Sequence, residues 1–130
     1  MNSTLRSLAA TAAAAALLAL TACSPSGNSD GVAGTWGDPG AKGEPSLEFT
    51  AGKNASSGDY SGTDGCNVVG GSYTADGSEI DLGMMHATLM YCEGVDTWLS
   101  TARTAARPGD ELVFKDENGE RIGTLKRHGG

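Results

Sequence analysis

Basic residues are scarce in this 130-residue chain: nine Lys and Arg stand against sixteen Asp and Glu, a formal charge of −7. An acidic surface repels phosphate backbones and anionic headgroups, so nucleic acid is not expected as a partner and membrane attachment has to come from something other than charge. Long apolar runs are missing as well. The longest, residues 8–20, is an unbroken Ala/Leu/Thr segment too short to span a bilayer comfortably. Cysteine occurs three times and never in Cys-x-x-Cys spacing, the pattern that makes a zinc site convincing. Aromatics are few, with three Tyr, two Trp and two Phe, whereas glycine reaches 20. That balance favours short strands joined by many turns. No motif assembles a Ser-His-Asp or Cys-His set, since Ser and Asp are scattered through loop-like stretches. The reading is therefore of a non-enzyme, with no catalytic residues and no cofactor.

What is present at the start of the chain is an address. Arg6 is the only charged side chain ahead of the apolar segment, and Leu20-Thr21-Ala22-Cys23 follows it directly. This arrangement resembles a bacterial lipobox, which implies cleavage before Cys23 and a diacylglyceryl thioether on its sulfur. Residues 1–22 then read as a lipoprotein signal peptide, 23–33 as a flexible tether lipidated at Cys23, and 34–130 as one domain. Lipid chains hold a membrane with roughly 0.8 kcal/mol per buried methylene, so they can anchor an acidic domain without help from charge. The tether, rich in Ser, Pro, Gly, Asn and Asp, reaches on the order of 17 Å as a random coil. The expected location is extracytoplasmic, at the outer face of a bacterial membrane or in the periplasm, with the membrane as one partner through Cys23 and the domain a monomer.

Within 34–130 the pattern is mostly that of strands. Gly34-Thr35-Trp36 opens the fold, and Ser46-Leu47-Glu48-Phe49-Thr50 alternates with period two, placing Leu47 and Phe49 toward the core. Asp76-Gly77 predicts a hairpin between Ser72-Tyr73-Thr74 and Glu79-Ile80-Asp81-Leu82. Residues 84–91 read as a further strand, on Thr88 and on length. Val95, Trp98, Leu99, Ala102 and Ala106 recur at three-and-four spacing and predict one α-helix over 95–106, stopped by Pro108-Gly109. Two strands joined at Asn118-Gly119 close the domain.

The order of these motifs carries a resemblance. Gly62, Gly65-Cys66-Asn67, Gly71-x-Tyr73-Thr74, Met90-x-Cys92, Trp98-Leu99 and Leu112-x-Phe114, in this sequence and spacing, resemble the META domain (HslJ-like) family over about residues 34–127. The resemblance implies a small α+β, β-rich domain: an antiparallel meander or partly open barrel with one α-helix, anchored in the cell envelope and without established catalysis. It marks Gly65, Asn67, Gly71, Tyr73 and Met90 as structural positions.

Cys66 and Cys92 are the two thiols left once Cys23 carries lipid, an even pair in an exported domain, and the expected bond is a disulfide. The competing reading is a redox-active or metal-binding pair with His86 as third ligand. Met84, Met85, Met90, Tyr73, Tyr91 and Trp98 offer either core or the lining of an apolar groove. Asp116, Glu117, Asn118 and Glu120 form an acidic tip that lacks the spacing of a calcium loop. Three functions follow from this inventory. The first is envelope maintenance or stress tolerance through binding an envelope protein. The second is carriage of a small apolar ligand or lipid tail in a methionine-lined cavity. The third is inhibition of an extracytoplasmic hydrolase through an exposed rigid loop, for which 51–58 is the obvious segment.

Overall fold

Period-two alternation becomes a curled antiparallel sheet in the computed structural model, which describes residues 31–129. Its first four strands, β1 (Gly34–Gly37), β2 (Ser46–Ala51), β3 (Ser57–Thr63) and β4 (Val68–Asp76), form a meander. β5 (Glu79–Asp81) pairs with the C-terminal end of β4 through the Gly77 turn, whose φ of +64° suits the residue. β6 (His86–Ala87) lies against the other end of β4, off the main strand path. β7 (Thr104–Ala106), β8 (Glu111–Lys115) and β9 (Arg121–Lys126) complete the order β1-β2-β3-β4-β5-β7-β8-β9.

The two ends of this order meet. Trp36 bridges to Arg127, and the His128 N–H donates to the Thr35 carbonyl at 2.8 Å, so the sheet is a nearly closed barrel with one seam. Arg127 fastens that seam. Its guanidinium lies 4.2 Å from the centre of the Trp36 ring, and it donates to the carbonyls of Ala33 (3.1 Å) and Gly31 (2.9 Å). Val32 is buried, and its carbonyl accepts the Trp36 indole N–H at 2.8 Å, so the ordered barrel takes in the end of the segment read as tether. Cys23, the leader and the rest of that segment lie outside the described residues.

The core sits inside the barrel. Leu47 and Phe49 face inward as their alternation predicts, joined by Trp36, Tyr60, Val69, Tyr73, Ile80, Leu112 and Phe114. Phe49 packs edge-on against Tyr73 with ring centres 5.2 Å apart and tilted against Tyr60 at 5.6 Å. Such pairs add about 0.5–1.5 kcal/mol beyond their burial.

The α-helix expected over 95–106 is absent from the described residues. A single 3₁₀ turn, Trp98–Thr101, is followed by strand β7. The physical reason is pairing on both edges: Ala105 sits between Ile80 of β5 and Phe114 of β8, and these ladders supply hydrogen bonds that a helix would have made internally. Ala105 is buried and Ala106 is not, so the three-and-four spacing of apolar residues was partly accidental. Trp98 finds its partners on the sheet, 5.7 Å from Phe114 and over Gly123, where a Cβ would come within 2.6 Å of the indole. The strand expected over 84–91 shrinks to His86–Ala87, because only these two residues pair with β4 in register.

Candidate functional site

The turn Asp64-Gly65-Cys66-Asn67 joins β3 to β4 and builds the most distinctive feature of the surface. Asp64 is fully buried, and its Oδ1 accepts the N–H groups of Cys66 (2.9 Å) and Asn67 (2.6 Å), an Asx-type turn. Gly65 has φ of +104° and lies against the Gly43 carbonyl, where a Cβ would approach to 2.8 Å. A side chain is thus excluded both by conformation and by space. Cys66 and Cys92 are bonded to each other, with Cα atoms 5.8 Å apart. Among the described residues no cluster of His, Cys, Asp or Glu is arranged to hold a metal, and His86 is exposed, its ring resting on Gly70.

Asn67 then acts as a fork. Its Oδ1 accepts the Thr88 hydroxyl (2.9 Å) and the Met90 N–H, while its Nδ2 donates to the Met90 carbonyl at 3.5 Å. Thr88 returns the contact: its Oγ1 accepts the Val68 N–H at 3.1 Å and its own N–H donates to the Val68 carbonyl at 3.1 Å. Segment 84–92 is therefore held by β4 at one end, by the Asn67 fork in the middle and by the Cys66–Cys92 bridge at the other end. From His86 to Cys92 it runs without turn or bend.

Met85 and Ala87 of this pinned segment pack on the core, whereas Met84 and the side chains from Thr88 to Tyr91 point outward. Leu89 is 97% exposed, Tyr91 86%, Met84 80% and Met90 59%, with Val68 beside them also exposed. Isolated exposed apolar residues are ordinary, whereas several contiguous ones on an ordered loop mark a contact surface. The Met90 of the sequence motif is needed here for its main chain, which Asn67 grips at both N–H and C=O, rather than for its side chain.

The other motif positions are packing devices. Gly71 leaves room for the Tyr60 ring, whose hydroxyl would lie 2.6 Å from a Cβ at that position. Tyr60 donates to the Leu82 carbonyl at 2.8 Å, and burial pushes its pKa up to about 12, eased by Arg103 and reinforced by Asp81. Tyr73 is buried, and burial together with Asp59 raises its pKa; its hydroxyl has no hydrogen-bond partner. Tyr73 also lines a cavity of about 380 Å³ at the barrel end where the N-terminal segment enters, with Val32, Ala51, Ala55, Ala75 and Ile80. The methionines take no part in this lining: Met84 and Met90 are outside, and Met85 packs half-buried on the core. The acidic tip is an ordinary hairpin end, with Asp116 Oδ1 accepting the N–H groups of Asn118 and Glu120.

Asn67 and the two cysteines are legible as a motif and Met84, Met90 and Tyr91 as candidates for core or groove, whereas nothing local marks Thr88 and Leu89 as a surface. The available signal was an apolar run beside a cysteine, in which Met85 and Ala87 turn inward and the stretch Leu89-Met90-Tyr91 stays outside. No curated protein and no solved structure matches the chain. The family model of the META domain matches residues 28–129, taking in every strand and both cysteines of the bridge. The chain thus belongs to the META domain family.

Proposed function

We propose that this protein is a lipid-anchored, non-catalytic component of the bacterial envelope that acts by binding another protein through segment 84–91. The observation that carries this reading is a contiguous row of exposed apolar side chains on a main chain fixed by a disulfide and a side-chain fork. Fixing the main chain of the loop in advance removes the backbone entropy that ordering it on binding would otherwise cost, about 1–2 kcal/mol per residue. Envelope maintenance or stress tolerance is the physiological role that suits a tethered binding module.

A photo-crosslinking residue placed at Leu89 in cells tests the binding, with one at Glu117 on the opposite hairpin as control. Discrete adducts from position 89 alone support it, and equal or absent labelling at both refutes it. Cys23→Ala tests the anchor, with the expected outcome that the protein leaves the membrane fraction.

A second reading, carriage of an apolar ligand, is favoured by the cavity of about 380 Å³ and its largely apolar lining of Val32, Ala51, Ala55, Tyr73, Ala75 and Ile80. Such a site suits a small apolar molecule. Native mass spectrometry of protein purified from membranes would show the added ligand mass, and Ala75→Trp, which fills the cavity, would abolish its retention.

A further inference from the structure

The main chain around Leu89 has features that a general docking patch does not require. The residues on either side, Thr88 and Met90, are both tied to the single side chain of Asn67, whereas Leu89 between them makes no hydrogen bond and is 97% exposed. β6, which leads into this point, pairs only with β4, so its other edge is open among the described residues. Two residues past Met90 the chain is bonded covalently to the scaffold through Cys92. The result is a bend-free segment that continues from an open strand edge, with Leu89 as its most exposed side chain and anchors on both sides of one peptide bond, Leu89–Met90.

The geometry points to an inhibitory contact loop for a serine endopeptidase whose primary pocket accepts large apolar side chains, with Leu89 as the residue that fills the pocket. This rests on the protein-binding reading and names the partner's class. Such an enzyme binds an extended chain by adding it to a strand edge and by burying one side chain, which matches the open edge of β6 and the exposed side chain of Leu89. The anchors explain why binding would not end in turnover. Attack of the enzyme's serine oxygen on the Leu89 carbonyl carbon breaks the Leu89–Met90 bond, the serine proton passing through the enzyme's histidine to the departing Met90 nitrogen. In a free peptide that amine diffuses away and water hydrolyses the acyl-enzyme. Here Asn67 and the Cys66–Cys92 bridge hold Met90 beside the ester, so its amine attacks the ester carbonyl, the peptide bond re-forms and the serine recovers its proton. No atom is gained or lost over the cycle.

The alternative segment for an inhibitor, 51–58, is a β2–β3 hairpin end of small and polar residues with Lys53 and Asn54 at its tip, and it offers no apolar side chain to fill such a pocket. A membrane-contacting role for 84–91 fits poorly with Glu93 exposed next to the bridge and with the net negative charge of the chain.

The test uses the full chain carrying Cys23→Ala against chymotrypsin-like and subtilisin-like enzymes of apolar specificity, and against trypsin as the basic-specificity control. The expected result is inhibition of the first group and not of trypsin. Leu89→Lys, a change at an exposed position, should weaken the first inhibition by about 100-fold or more and create inhibition of trypsin, as expected when a central anchor is exchanged. Asn67→Ala should convert the loop into a substrate, read as an 18-dalton gain with the disulfide intact. Unchanged inhibition by Leu89→Lys, rapid cleavage of the parent chain at Leu89–Met90, or no inhibition of any apolar-specific enzyme overturns the inference. If inhibition fails while the position-89 cross-linker still captures a discrete protein that is not a peptidase, the binding reading stands and the inhibitor reading falls. If it captures none, both fall, and binding of the Leu89 surface to zwitterionic phosphatidylcholine vesicles would then assign the patch to lipid.

Discussion

Removing the Cys66–Cys92 bridge should destabilise the whole domain rather than only the loop it closes. The bond encloses a sequence separation of 26 residues. In the chain-entropy description, closing a loop of that length in the unfolded state stabilises the native state by about 3.5 kcal/mol. For a domain near 100 residues that corresponds to a fall in Tm of about 15–25 °C, and it is a large fraction of the 5–15 kcal/mol that holds such domains together. The native side of the balance changes little, because Asn67 and the Val68–Thr88 pairing hold segment 84–92 to β4 independently of the sulfurs. Urea unfolding of Cys66→Ser/Cys92→Ser beside the parent, with the same slope in both, gives the difference directly. A loss under about 1 kcal/mol would refute the reasoning, since it would mean that the unfolded chain is already compact across this loop. The double variant should keep its Met90 amide protected from hydrogen exchange in the native state, because that protection comes from Asn67.

Asn67→Ala should lower global stability by a smaller amount, about 1–3 kcal/mol, but should expose the Thr88 and Met90 groups it now binds, with accelerated exchange confined to 88–90. Gly123→Ala should destabilise by about 1–3 kcal/mol by forcing the Trp98 indole off Phe114; a denaturation midpoint above the parent's would contradict the packing described. Tyr60 holds its proton in the folded state to about pH 12, whereas an unfolded tyrosine releases it near 10. The contribution is therefore complete below pH 10 and is lost as pH rises from 10 to 12, because the unfolded chain binds fewer protons across that window. Denaturation midpoints measured from pH 9 to 12 should fall more steeply for the parent than for Tyr60→Phe.

Local patterns predicted the strands well wherever one face is buried and the turn is short. Leu47 and Phe49 alternate, Asp76-Gly77 and Asn118-Gly119 supply the positive φ their hairpins need, and all of these are properties of neighbouring residues. The errors came where distant strands decide the outcome. Residues 104–106 carry a plausible helical spacing, yet they lie between β5 and β8, and two flanking ladders outweigh a weak local preference. The methionines looked like the lining of an interior, but the interior was already filled by Trp36, Phe49, Tyr60, Tyr73 and Phe114, leaving Met84 and Met90 outside.

The glycine-rich turns and the ordered motifs Gly65-Cys66-Asn67, Gly71-x-Tyr73 and Met90-x-Cys92 determined by themselves the family and the β-rich architecture, and pointed to Cys66 and Cys92 as a pair. Each of these depends on residue type and spacing along the chain, which a sequence displays in full. Only the tertiary structure decided that the sheet curls until Trp36 meets Arg127, that residues 95–106 give a turn and a strand, and that Asn67 reaches Thr88 and Met90. Those outcomes depend on which groups from separate elements of the chain come within hydrogen-bond reach. The same long-range pinning leaves Leu89 and Tyr91 in solvent, and so creates the surface on which the proposed function rests.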